Sequence, residues 1–119
     1  MEQSLADRIW NRAALEGGGI SPRAGDRALA ALLHAHGFIM NGGVHHGLEC
    51  LSPDELTAAK DGYTFLGFES VVHVLENALR LDEDVADAEY ARVIPEDSTI
   101  DRRFVELFAR SPGLFAPLA

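Results

Sequence analysis

A chain of 119 residues that is 47% hydrophobic can bury one core without covalent staples, and it is too apolar to be a disordered tail despite a net charge of −9. Its single cysteine excludes an internal disulfide and favours a reducing compartment, while the excess of acid disfavours direct binding to nucleic-acid phosphates. Met1 is followed by acids rather than a basic region with an apolar run, and no stretch reaches membrane-spanning length, so a cytoplasmic protein without membrane attachment is expected.

Ser4 to Glu16 has the pattern of a first helix anchored by Leu5, Ile9 and Trp10. Gly17-Gly18-Gly19 ends it and reads as a flexible joint. This divides the chain into an N-terminal helix with its joint over 1–20 and a helical core domain over 21–119, together one globular unit. Ser21-Pro22 has the form of an N-cap followed by proline at the first helical position. The helix it opens is expected to run to His36 or Met40, with Leu29, Leu32, Leu33, His36 and Met40 as one apolar stripe. His34 and His36 stand two apart and point to opposite sides of such a helix, so they cannot clamp one metal ion together. His36 is expected in the core or at its boundary with one hydrogen bond, and His34 in solvent.

Asn41-Gly42-Gly43 is strong turn punctuation and marks the reversal around which the other elements are arranged. A short helix over Val44–Leu51 would place His45 over Glu49 and His46 over Cys50. These four residues are the candidate metal ligands, although no HExxH or CxxC spacing accompanies them. Cys50 with His46 has the spacing of a nucleophile–base pair without an orienting third group. Ser52-Pro53-Asp54-Glu55 combines an N-cap serine, proline at N1 and a glutamate placed to close a capping box. The helix it starts is expected to stop at Gly62.

Tyr63–Leu81 is the strongest core candidate, with Phe65, Phe68, Val72, Leu75 and Leu79 at three- and four-residue steps. Within it, Gly67 suggests a helix start or a close backbone approach. A further helix over Asp84–Val93 turns Val85, Ala88 and Tyr90 or Ala91 inward and ends before Pro95. Ser98 is then the expected cap of a last helix with Ile100, Phe104, Leu107 and Phe108 on its buried face. Ser111-Pro112-Gly113 closes that helix, and the Leu114-Phe115 tail is expected to dock on the core. No stretch alternates with period two. The fold class is all-α, a single irregular bundle of five to seven helices.

From Asp82 to Asp101 there are eight acids against the one base Arg92, so this segment carries −7 of the −9. Glu83, Asp84, Asp87 and Glu89 are the candidate partner-binding carboxylates, suited to a basic protein; the alternative is a solvated helix face kept acidic for solubility. No Gly-rich phosphate loop or paired-carboxylate motif is present, and neither a catalytic residue nor a cofactor is expected.

The order of these signals resembles the domain family of unknown function named after an acidic DNA-mimic protein. The resemblance is carried by the leucine-rich helix running into Asn41-Gly42-Gly43, by Gly67-Phe68 before an apolar helix, and by Ile100-Asp101-Arg102-Arg103-Phe104. It implies a helical, often dimeric, cytoplasmic protein without catalytic residues. The family's namesake occupies the DNA-binding surface of a transcription factor with its acidic side chains, an activity that depends on where carboxylates sit and that the turn motif does not carry over. Asn41, Gly42 and Gly43 carry over as structural residues only. The expected function is therefore a non-enzymatic interaction protein, a DNA mimic or an inhibitor of immunity type. Its partner would be a nucleic-acid-binding protein or a basic toxin. The alternative is a metal-binding module or metal-dependent hydrolase built on His45, His46, Glu49 and Cys50.

Overall fold

The computed structural model describes residues 3–118, and every regular element among them is helical. In chain order they are α1 (Leu5–Glu16), α2 (Ala24–Gly42), α3 (Val44–Cys50), α4 (Pro53–Phe65), α5 (Glu69–Asn77), α6 (Glu83–Val93) and α7 (Asp97–Arg110). Short 3₁₀ turns follow at Ala78–Arg80 and Pro112–Leu114. The expected all-α bundle of five to seven helices is what forms. None of these helices is long and apolar enough to cross a membrane.

Helix α2 is the axis, with α1, α3 and α4 packed against it. Its buried stripe is Leu29, Leu32, Ala35, His36 and Ile39. Met40, expected in that stripe, is 56% exposed because Ile39 occupies the inward position. Ile9 and Ala13 of α1 join the same core as Tyr63, Val71, Leu75, Tyr90, Ile100 and Phe104. Leu5 instead faces solvent. The tail docks as expected, with Phe115 edge-on to Phe104 at 5.3 Å and to Phe108 at 5.7 Å between ring centroids. Each large side chain so enclosed contributes roughly 1.5–3 kcal/mol.

Helix boundaries depart from the sequence pattern where a competing contact decides them. The Ser21-Pro22 pair lies outside α2, which begins at Ala24 because the Asp26 carboxylate accepts the Arg23 backbone N–H at 2.9 Å. Asn41 and Gly42 continue α2 rather than turning. The reversal is made by Gly43 alone, at φ 95°, where a side chain is strained. Its N–H bonds Ile39 O at 2.7 Å while its carbonyl receives the Gly47 N–H at 3.0 Å, so one residue ends α2 and starts α3.

The triple glycine is not a loose joint. All three residues have positive φ, Gly18 is buried, and the Gly18 N–H bonds Arg12 O at 3.2 Å, a left-handed helix stop. The Ser52–Glu55 capping box forms as expected, with Ser52 Oγ accepting from Glu55 N at 3.1 Å and Glu55 Oε1 accepting from Ser52 N at 2.9 Å. That helix runs through Gly62 to Phe65, because Gly62 is where α4 lies against α2. A Cβ there would meet the Ala28 carbonyl oxygen at 2.4 Å.

Tyr63–Leu81 is consequently not one helix. Gly67 at φ 84° breaks it, Tyr63 belongs to α4, and α5 buries Val71 and Leu75. Phe65 is left at the surface and Leu79 is 75% exposed. In α6 it is Ala86 and Tyr90 that turn inward, with Val85 and Ala88 outward. Helix α7 starts at Asp97 with Glu96 at its N-cap, two residues before the expected cap, so that Ser98 lies inside the helix.

Candidate functional site

Asp82 at the N-cap and Glu83 and Asp84 in the first turn of α6 set three carboxylates beside the positive end of its dipole, where acid stabilises the helix. All three are exposed, as are Glu96, Asp97 and Asp101 at the start of α7. The four acids singled out in sequence divide into two pairs. Glu83 is 78% exposed in its side chain, with His45 Nδ1 at 3.8 Å, and Asp84 stands in solvent. Asp87 is half-buried instead, and its Oδ1 accepts the Val44 N–H at 2.8 Å, capping α3 from across the interface. Glu89 is held by Arg92 one turn further on. Asp87 and Glu89 are thus engaged within the fold, while Glu83 and Asp84 face outward.

Packing of α1 against α7 adds what the linear order hides. Asp7 joins Asp97 and Asp101 around a hollow of about 450 Å³ walled by Trp10. Trp10 is held from below by Phe104, 5.9 Å away between ring centroids.

Asp97 also ends a hydrogen-bonded chain that runs into the core. Its Oδ1 lies 2.7 Å from His36 Nε2, His36 Nδ1 lies 2.8 Å from the Tyr90 hydroxyl, and that hydroxyl lies 2.7 Å from the Tyr63 hydroxyl. The donor order follows from counting. A carboxylate only accepts, so Nε2 donates to Asp97, and in a neutral imidazole Nδ1 then accepts from Tyr90. The Tyr90 oxygen in turn accepts from Tyr63. Every polar atom of this chain finds a partner, which is the condition for burying it without penalty. His36 therefore makes two hydrogen bonds rather than the expected one. His34, as expected, is at the surface, where it pairs with Glu55 at 3.0 Å. The Glu55 carboxyl is held below its ordinary range, first by the Ser52 backbone N–H and then by His34.

Burial pushes both phenols well above their ordinary range, and at Tyr90 the neighbouring Tyr63 adds to the effect. They are the two tyrosines of the sequence. A phenol whose folded-state pKa is raised leaves stability undiminished below about pH 10, its unfolded value, and lowers it as pH rises beyond that. Tyrosinate absorbance at 295 nm is therefore expected to stay flat past pH 10 and to appear together with the loss of helical circular dichroism. A smooth titration centred on the free-tyrosine value, with helicity intact, would show the phenols to be open to water.

The candidate metal ligands do not converge. His45 Nε2 lies 2.7 Å from the Ala78 carbonyl, a contact that makes it a donor. His46 turns to Cys50, with Nε2 3.5 Å from Sγ, and Glu49 is exposed apart from both. Among the described residues no three His, Cys, Asp or Glu side chains are grouped to hold a metal ion.

Sequence reasoning missed a second buried polar centre. Asp26, fully enclosed, accepts Arg12 Nη2 at 2.8 Å, Arg23 N at 2.9 Å and Ala116 N at 2.7 Å. Arg12 Nη2 also donates to the Ala116 carbonyl at 2.9 Å, so one ion pair ties α1, α2 and the tail. An acid three residues after Arg23 is the only local signal of it. Against this background of fold and site, comparison with protein-family models, with curated proteins and with solved structures found no match.

Proposed function

We propose that this chain is a non-enzymatic interaction protein whose acidic surface, spread over the start of α6 and the start of α7, engages a basic protein. One observation carries the reading. Six of the eight acids between Asp82 and Asp101 are exposed, and the only arginine of that segment, Arg92, is spent on Glu89. Carboxylates left unneutralised over neighbouring helices create a field that attracts and orients a cationic partner. The hollow of Asp7, Asp97 and Asp101 beside Trp10 suits a lysine or arginine side chain, which gains both Coulomb attraction and contact with the indole face. A nucleic-acid-binding protein or a basic toxin has the surface this requires.

The test begins with affinity capture from native extract at low salt, followed by titration of the purified partner. Glu83→Lys, Asp84→Lys and Asp101→Lys together are expected to leave the protein folded, at a cost of up to about 1 kcal/mol each at Glu83 and Asp84, where the helix dipole favours acid, and about 0.5 kcal/mol or less at exposed Asp101. They are expected to abolish binding, and the wild-type complex is expected to weaken steeply as salt rises. Asp87 is left intact because it caps α3. Equal affinity for wild type and a folded triple variant across the salt titration would reduce the acidic surface to solvation. Competition by duplex DNA separates a nucleic-acid-binding partner from a toxin of another kind.

A further inference from the structure

On the far side of α7 the charge reverses. A cleft of about 480 Å³ opens between the α4–α5 turn and the outer face of α7, lined by Thr64, Phe65, Gly67, Arg102, Arg103 and Arg110. We infer that this cleft binds a small phosphorylated molecule carrying an apolar or aromatic group.

The first support is the concentration of cations. The sequence holds ten lysines and arginines against nineteen acids, yet three arginines line this one cleft, with Glu106 the only acid among its lining residues. Neither Arg102 nor Arg110 is in an ion pair among the described residues. Glu106, four residues from each on the same helix, offsets one of the three positive charges and leaves the cleft lining at +2.

The second support is that Arg103 is built into place. Its Nη1 donates to the Gly67 carbonyl at 3.1 Å and to the Leu66 carbonyl at 3.4 Å, and its guanidinium carbon lies 4.8 Å from the Phe68 ring centroid. The turn it grips is held by Gly67 at φ 84°, a left-handed conformation that favours glycine. The remaining N–H groups of Arg103 make no hydrogen bond among the described residues. A fixed guanidinium with free donors matches phosphate geometry better than a mobile ammonium does.

Size and surroundings narrow the ligand. The volume lies in the range of small-molecule sites and exceeds that of a lone phosphate, and Phe65 and Leu107 provide an apolar wall for the rest of the molecule. A nucleic-acid polymer would extend beyond the cleft over a chain of net charge −9. Glu106 adds a single acceptor suited to a hydroxyl or amine of the ligand.

Phenyl phosphate and methyl phosphate are the probes, titrated into the full chain by calorimetry and by amide chemical-shift mapping. Phenyl phosphate is expected to saturate one site, to shift amides of Thr64–Gly67 and Thr99–Arg110, and to bind more tightly than methyl phosphate. Arg102→Gln with Arg110→Gln is expected to weaken it at least tenfold, roughly one charged hydrogen bond's worth. The exposed pair Arg8→Gln with Arg80→Gln, outside the cleft, is expected to change nothing. Circular dichroism checks that each variant folds, and the wild-type shift map stands on its own if one does not. Non-saturating binding, equal weakening by both pairs of substitutions, or displacement by sulfate at constant ionic strength with no preference for phenyl over methyl phosphate would overturn the inference.

Discussion

Asp26→Ala is expected to cost about 3–5 kcal/mol, a large share of the roughly 5–15 kcal/mol that holds a typical domain together. The substitution removes three hydrogen-bond acceptances at once and leaves Arg12, whose side chain is 14% exposed, without its counter-charge. The second effect dominates, because the guanidinium keeps only neutral carbonyl acceptors on the tail, at Ala116 and Pro117, and its enclosed charge is no longer compensated. A shift in the urea midpoint measures the loss. Limited proteolysis is expected to open the 116–118 segment first, since the Ala116 N–H is released. Arg12→Met strands the Asp26 carboxylate in turn, so the two single variants and their combination should be strongly non-additive. A loss of less than about 1 kcal/mol would mean that water reaches the pair and that the tail is not clamped.

Gly62→Ala is the second large effect, and here propensity and packing disagree in sign. Alanine in a helix interior gains up to about 1 kcal/mol over glycine. At residue 62 the new Cβ would stand 2.4 Å from the Ala28 carbonyl oxygen, and the obstacle is backbone of the central helix rather than the end of a flexible side chain. Helices α2 and α4 would have to move apart, so a net cost of about 2–3 kcal/mol is expected. Gly37→Ala is the matched control. It lies in α2, is exposed and has no atom within 4 Å of the added carbon, so it is expected to raise stability by about 0.5–1 kcal/mol. Midpoints moving in the same direction for both variants would remove the close approach of α2 and α4 as the explanation.

What the sequence makes legible is what neighbours decide. The Ser52–Glu55 capping box needs only residues three apart, and it forms as read. The last helix shows its face in Ile100, Phe104 and Leu107 because a helical period is a local property. Glycine can be seen but its role cannot. Gly43 and Gly67 turn the chain while Gly62 lets two helices touch, and nothing in the letter distinguishes these. The buried polar groups were least legible. Asp26 meets Arg12 from 14 positions away and Ala116 from 90, and His36 meets Tyr90 and Asp97 from 54 and 61. Such pairings exist only once helices have docked. For the same reason the eight acids of 82–101 look alike as letters, yet Asp87 serves α3 while Asp84 faces water.

The clamp at Asp26 also sets an order of events during biosynthesis. Its third donor, the Ala116 N–H, lies 90 residues downstream. While the ribosome is still adding that stretch, α1 and α2 have already emerged, but the face of the ion pair that the tail covers remains open to water. A hydrated Arg12–Asp26 pair holds weakly. The first two helices can therefore meet early and still part again, and the emergence of the tail is the moment at which their association is sealed.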